Sequence, residues 1–91
     1  MYLADIISQQ LVVDETQLKS EPELLQEIQI RFAELGYYPK HLIDAKYGPK
    51  VVAANISFCQ DYKLNSFRTG RYGLTWASTL INAKPAPQNR S

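Results

Sequence analysis

Two apolar stripes at helical spacing constrain this chain most. Leu25, Ile28, Phe32 and Leu35 recur at steps of three, four and three, and Val51, Ala54, Phe58 and Tyr62 at steps of three, four and four. Residues at that period line one face of an α-helix, which is stable only when the face is covered. The first stripe is framed by start and stop signals. Ser20 can cap it, Glu23 follows three residues on, and Pro22 lies in the first turn, where its missing N–H does no harm. Gly36 ends it as a left-handed residue. The second stripe opens at Pro49. Val52, Ile56 and Cys59 give it a second apolar flank, which predicts a central helix with neighbours on two sides; Asn55, between the flanks, is a polar anomaly.

A third helix carries Leu74, Trp76, Ala77, Leu80 and Ile81. The expected fold class is therefore all-α, with helices near 21–35, 49–62 and 74–82. Their core is expected to hold Leu25, Ile28, Phe32, Leu35, Val51, Ala54, Phe58, Trp76 and Leu80. Three helices suit a chain of 91 residues, which is long enough for one domain. That domain is expected to span 21–83. Residues 1–20 read as an amphipathic N-terminal segment, with Leu3, Ile6, Ile7 and Leu11 near helical spacing and a turn at Asp14-Glu15-Thr16. Residues 84–91, with Pro85 and Pro87, read as a flexible, linker-like tail unless a partner holds it.

Composition excludes several functional classes. Cys59 is the only cysteine and His41 the only histidine, so neither an internal disulfide nor a metal site is expected. No apolar run approaches the length that spans a membrane. Asp5 comes early and Gln9-Gln10 interrupts the apolar stretch, so the N-terminus does not read as a signal peptide. The chain is expected either in the cytoplasm, if complete, or at the cell envelope, if cut from a secreted protein. The net charge of +1 is unevenly spread. Residues 1–39 hold Lys19 and Arg31 against seven acids, whereas residues 40–91 hold eight bases against Asp44 and Asp61. This asymmetry reads either as an acidic helix facing basic neighbours within one fold or as an anionic partner for the second half. The bases are scattered and no nucleic-acid motif appears, so nucleic acid is not expected as that partner.

A short internal echo links the two loop-to-helix junctions. Ala45-Lys46-Tyr47-Gly48-Pro49 parallels Gly70-Arg71-Tyr72-Gly73-Leu74: small residue, base, Tyr, Gly, helix start. Glycine gives each corner its backbone freedom, and the tyrosine ring covers the junction. Gly48 and Gly73 are therefore expected to be equivalent. Asp44, just before the first corner, suits an Asx-type bond to the backbone.

Taken in order, Leu35-Gly36-Tyr37-Tyr38, the two corners and the Thr75-Trp76 pair resemble the peptidoglycan-binding-like domain family. The resemblance runs over roughly residues 22–82. Ile28-Gln29 stands for that family's Leu-Gln, Ile43-Asp44 with Tyr47-Gly48 for its first corner, Ala54, Phe58 and Leu64 keep its register, and Gly70, Thr75-Trp76 and Leu80 close it, with the Gly70-to-Thr75 gap one residue short. Ala45 and Lys63 stand where the family pattern has glycine, Asn55 where it has Val, and Cys59 where it has Gln. The resemblance implies a compact three-helix fold with two pseudo-symmetric halves and a non-catalytic role, holding a protein on peptidoglycan. Residues 1–21 lie outside it.

Two functions follow as expectations. One is a wall-binding module. The other is a repurposed protein–protein adaptor or small assembly subunit, suggested by the missing signal peptide, the free cysteine and the departures from the family pattern. Docking through residues 1–13 and 84–91 would suit the second. For either, the expected ligand face is formed by Tyr37 and Tyr38 with Arg71 and Tyr72, which combine aromatic area and positive charge. Gly36, Asp44, Tyr47, Gly48, Gly73 and Trp76 are expected to shape the corners. No nucleophile–base pair is evident for His41 or Cys59, so neither catalysis nor a cofactor is expected.

Overall fold

The fold is given by a computed structural model, which describes residues 1–84. Residues 85–91, most of the proline-containing tail, lie outside the described residues. The chain begins with α1 (Leu3–Ser8), shorter than the predicted amphipathic segment, and an extended β1 (Val13–Asp14). Asp14 then caps α2 (Glu15–Lys19), its carboxylate accepting from the Gln17 N–H at 2.8 Å. The stretch read as a turn is thus a short helix.

The longest helix, α3 (Pro22–Leu35), runs between its predicted signals. Its cap is Glu21, without a side-chain bond; the Ser20 hydroxyl instead donates to the Gln17 carbonyl at the end of α2. Gly36 closes α3 at φ +91°, and the Tyr37 N–H returns to the Phe32 carbonyl at 2.8 Å. After a 3-10 turn at Lys40–Leu42 comes α4 (Pro49–Asp61), then α5 (Ser66–Thr69), β2 (Arg71–Tyr72) and α6 (Leu74–Asn82).

One expectation needs correction: the chain is mostly helical rather than all-α. Val13 pairs with Tyr72 and Asp14 with Arg71 in a two-stranded antiparallel sheet. Strands of two residues are too short to show a period of two, so the sequence carried no strand signal. Burial drives the pairing, since both Val13 and Tyr72 turn their side chains into the core.

That core collects both stripes and the N-terminal segment. Leu25, Ile28, Phe32, Val51, Ala54, Phe58, Trp76 and Leu80 are buried as predicted, with Leu35 partly covered. Leu3, Ile6 and Val13 are fully buried beside them. Tyr62 and Leu74, assigned to apolar stripes, are exposed, because α4 ends at Asp61 and α6 begins at Leu74 with its outer face in solvent. The α3 and α6 helices are fastened by Arg31. Its guanidinium donates to the carbonyls of Leu80 at 2.9 Å, Ile81 at 3.1 Å and Ala83 at 2.6 Å, groups left without helical partners at the α6 C-terminus. No helix among the described residues is long and apolar enough to cross a membrane.

Candidate functional site

Gln29 builds the first corner. It is fully buried on α3, where an unpaired amide would be costly, and every polar atom of it is used. Its carbonyl accepts from the backbone N–H groups of Asp44 (3.1 Å) and Ala45 (2.8 Å). Its amide donates to Asp44 Oδ1 (3.0 Å), the Lys46 carbonyl (3.0 Å) and the Tyr38 hydroxyl (3.2 Å). Asp44 also accepts from the Lys46 N–H at 3.0 Å, the expected Asx-type bond. The Gln29 bond, and then the Lys46 N–H, hold the Asp44 carboxyl below its ordinary pKa. Pinned this way, Ala45 adopts φ +60°, a left-handed conformation that a residue with a Cβ rarely takes.

Asn55 builds the second corner. Its amide donates to the Tyr72 hydroxyl at 3.2 Å, and its carbonyl accepts from the Trp76 indole N–H at 3.0 Å. The polar anomaly of α4 is thus the group that orients two aromatic rings, which meet edge-on at 4.9 Å. Cys59, also buried, donates weakly to the same Asn55 carbonyl at 3.5 Å. Burial pushes its thiol pKa up, which opposes formation of a thiolate.

Both corner glycines cap their helices in extended conformations, Gly48 at φ −168° and Gly73 at φ −118°. A side chain at Gly73 would stand 3.3 Å from Val12, whereas Gly48 faces open space. The two tyrosines that precede these glycines share one partly open cavity of about 90 Å³. Its inner walls are Leu25, Ile28, Phe32 and Trp76; Glu15 and Phe67 stand toward its rim. The Tyr47 hydroxyl donates to Glu15 at 2.7 Å, and burial followed by that carboxylate raises its pKa far above the ordinary phenol value. The Tyr72 pKa is raised chiefly by burial. Beside the first corner lies a wider, shallower groove of about 520 Å³, lined by Tyr38, Asp44, Lys46, Tyr47, Lys50 and Val51 among others.

The predicted face therefore divides. Tyr38 lines the groove, and Tyr72 lines the cavity. Tyr37 packs against Phe32 and Phe58 and donates to Asp61, while Arg71 is exposed on β2. Glu15, Lys46, Lys50 and Phe67 were not anticipated as lining residues. Of the two corner builders, Asn55 carried a sequence signal as the polar anomaly of its helix, and Gln29 only as the partner of Ile28 in the family pattern. His41 lies exposed in the 3-10 turn, and no group of three His, Cys, Asp or Glu side chains that could hold a metal ion occurs among the described residues. Compared with known proteins, the chain matches no family model, no curated protein and no solved structure.

Proposed function

We propose that this chain is a non-catalytic binding module on a divergent peptidoglycan-binding-like fold, and that it holds a glycan–peptide strand in the groove beside the first corner. One observation carries the fold reading. Among the described residues, Gln10, Gly36, Ala45, Lys63 and Gly70 have left-handed φ angles. Gly36, Ala45 and Lys63 fall where the family pattern carries glycine, including the two positions where this chain has Ala and Lys instead, and Gly70 matches its last glycine with a gap to Thr75 one residue short. Such agreement is hard to obtain by chance, because non-glycine residues adopt this conformation only a few per cent of the time.

Charge supports the ligand reading. Every ion pair among the described residues joins groups within residues 1–34. The bases of the second half are thus not neutralised by the acidic helix. Lys46 and Lys50 are exposed at the groove, where their ammonium groups suit peptide carboxylates and the half-buried Tyr47 offers aromatic area to a sugar. The test is co-sedimentation with purified peptidoglycan. The wild-type chain should pellet, and Lys46→Ala with Lys50→Ala should weaken binding about tenfold, a loss of ~1.4 kcal/mol. A chain that stays in the supernatant, or a double variant that pellets equally well, would sink this reading.

An adaptor role is the second reading, favoured by a different observation. Val12, beside Gly73, and Leu74, which follows it, are large apolar side chains left exposed. A protein partner covering them would be lost on Val12→Ser with Leu74→Ser, which should leave peptidoglycan binding unchanged.

A further inference from the structure

The cavity between the corners has walls that suit a different ligand class from the groove. Half-buried Tyr47 and Phe67 contribute aromatic surface, the almost wholly buried Tyr72 and Trp76 lie at its floor, and Glu15 is its only charged side chain. Aromatic faces carry negative potential, and a carboxylate adds a full negative charge; both favour a cation. Size narrows the class further. One water needs about 10–15 Å³ on this measure, so 90 Å³ holds roughly six water-sized groups. That admits an alkylammonium head, whereas drug-sized ligands and sugars need pockets of about 300 Å³ or more.

The protein already places a cation at the rim. Lys19 Nζ stands 5.6 Å from the centre of the Tyr47 ring and 3.8 Å from Glu15. Lys19 and Glu15 are both more than half exposed, so this contact is made in solvent. A primary ammonium is strongly hydrated and stays there. An ammonium whose nitrogen is covered by methyl groups gives up less water on entering an apolar cavity. The walls that would receive it are fixed in advance, since Asn55 orients Tyr72 and Trp76 and the Tyr47 hydroxyl steadies Glu15.

We propose that this cavity binds a methylated or quaternary alkylammonium group, with Tyr47 and Phe67 as its accessible aromatic walls, Tyr72 and Trp76 at its floor and Glu15 as its counter-ion. Lys19 is the resident cation that the ligand displaces. This assignment does not depend on wall binding, which would use Lys46 and Lys50.

Trp76 is the only tryptophan, so intrinsic fluorescence of the full chain reports on the cavity directly. Choline is the probe, and its neutral carbon isostere dimethylbutanol is the control. Choline should shift Trp76 emission saturably, and dimethylbutanol at equal concentration should not. Glu15→Gln should weaken choline binding about tenfold and Lys19→Gln should tighten it about threefold, as removal of a counter-ion and of a competitor requires. Both side chains are exposed, and unchanged melting temperatures would show that neither variant disturbs the fold. Equal responses to the two compounds, undiminished choline binding by Glu15→Gln, or no saturable response would overturn the assignment. Unchanged affinity in Lys19→Gln would overturn the displacement. Peptidoglycan co-sedimentation without added choline reads the groove separately, so each proposal can fail alone.

Discussion

Ala45 and Lys63 hold φ angles of +60° and +57°, where a side chain crowds the following carbonyl. The left-handed conformation costs an L-residue about 1–2 kcal/mol, while glycine adopts it freely but loses more chain entropy on folding. The two effects oppose each other, and the steric one is larger. Ala45→Gly and Lys63→Gly should each therefore raise stability, by about 0.5–1 kcal/mol, read as a higher urea midpoint at unchanged slope. A lower midpoint for both would mean that neighbouring contacts, rather than backbone strain, set the energy at these turns. Gly36 and Gly70, at +91° and +70°, make the opposite case, since any side chain there would introduce the same strain. These positions also mark the limit of reading at this scale. Gly36 announces its turn, whereas nothing in Ala45 or Lys63 as residues reveals theirs; only the pattern around them does.

At the scale of elements, the sequence was most legible where periodicity and end signals coincide. Pro22 to Gly36 and Pro49 onward gave α3 and α4 to within a residue, because Pro and Gly act through backbone sterics that tertiary context rarely overrides. The short elements α2, α5 and the β1–β2 pair went unread. Each spans five residues or fewer, too few for a period to appear. The fasteners between elements were equally hidden. Arg31 read as one of two bases in an acidic stretch, yet it binds three carbonyls at the end of α6. Its removal leaves those carbonyls to water while also loosening α6 from α3. Arg31→Ala should cost about 1.5–3 kcal/mol, the usual worth of hydrogen bonds to a charged group, and Arg31→Lys should recover only part of it, because a lone ammonium cannot also supply the Nε bond to the Leu80 carbonyl and the Nη1 pair with Glu34. Thermal melting followed at 222 nm, the usual helix band, would read both, and a Lys variant as stable as wild type would reduce Arg31 to a simple charge.

Across the whole molecule, the two corners and the N-terminal segment meet in one core. The candidate site was half legible for that reason: the Tyr-Gly echo located both corners, but the cavity they share also needs Glu15 from α2, which lies outside the echo and outside the family resemblance. The same is true of stability. Residues 1–13 read as an amphipathic arm available for docking, yet Leu3 and Ile6 are fully buried, the Leu3 N–H donates to Glu27 at 2.7 Å, and the N-terminal ammonium pairs with Glu21 at 3.2 Å. An arm that served only a partner could be trimmed without harm. Here Leu3→Ala and Ile6→Ala should each cost about 2–5 kcal/mol, the range for large aliphatic side chains removed from a core. A chain of this length has about 5–14 kcal/mol of total stability, so the double variant, losing about 4–10 kcal/mol, should forfeit a large share of it. Chemical denaturation of the single variants measures the cost directly. If both melted like the wild type, α1 would be an accessory arm after all, and residues 21–83 would carry the core alone.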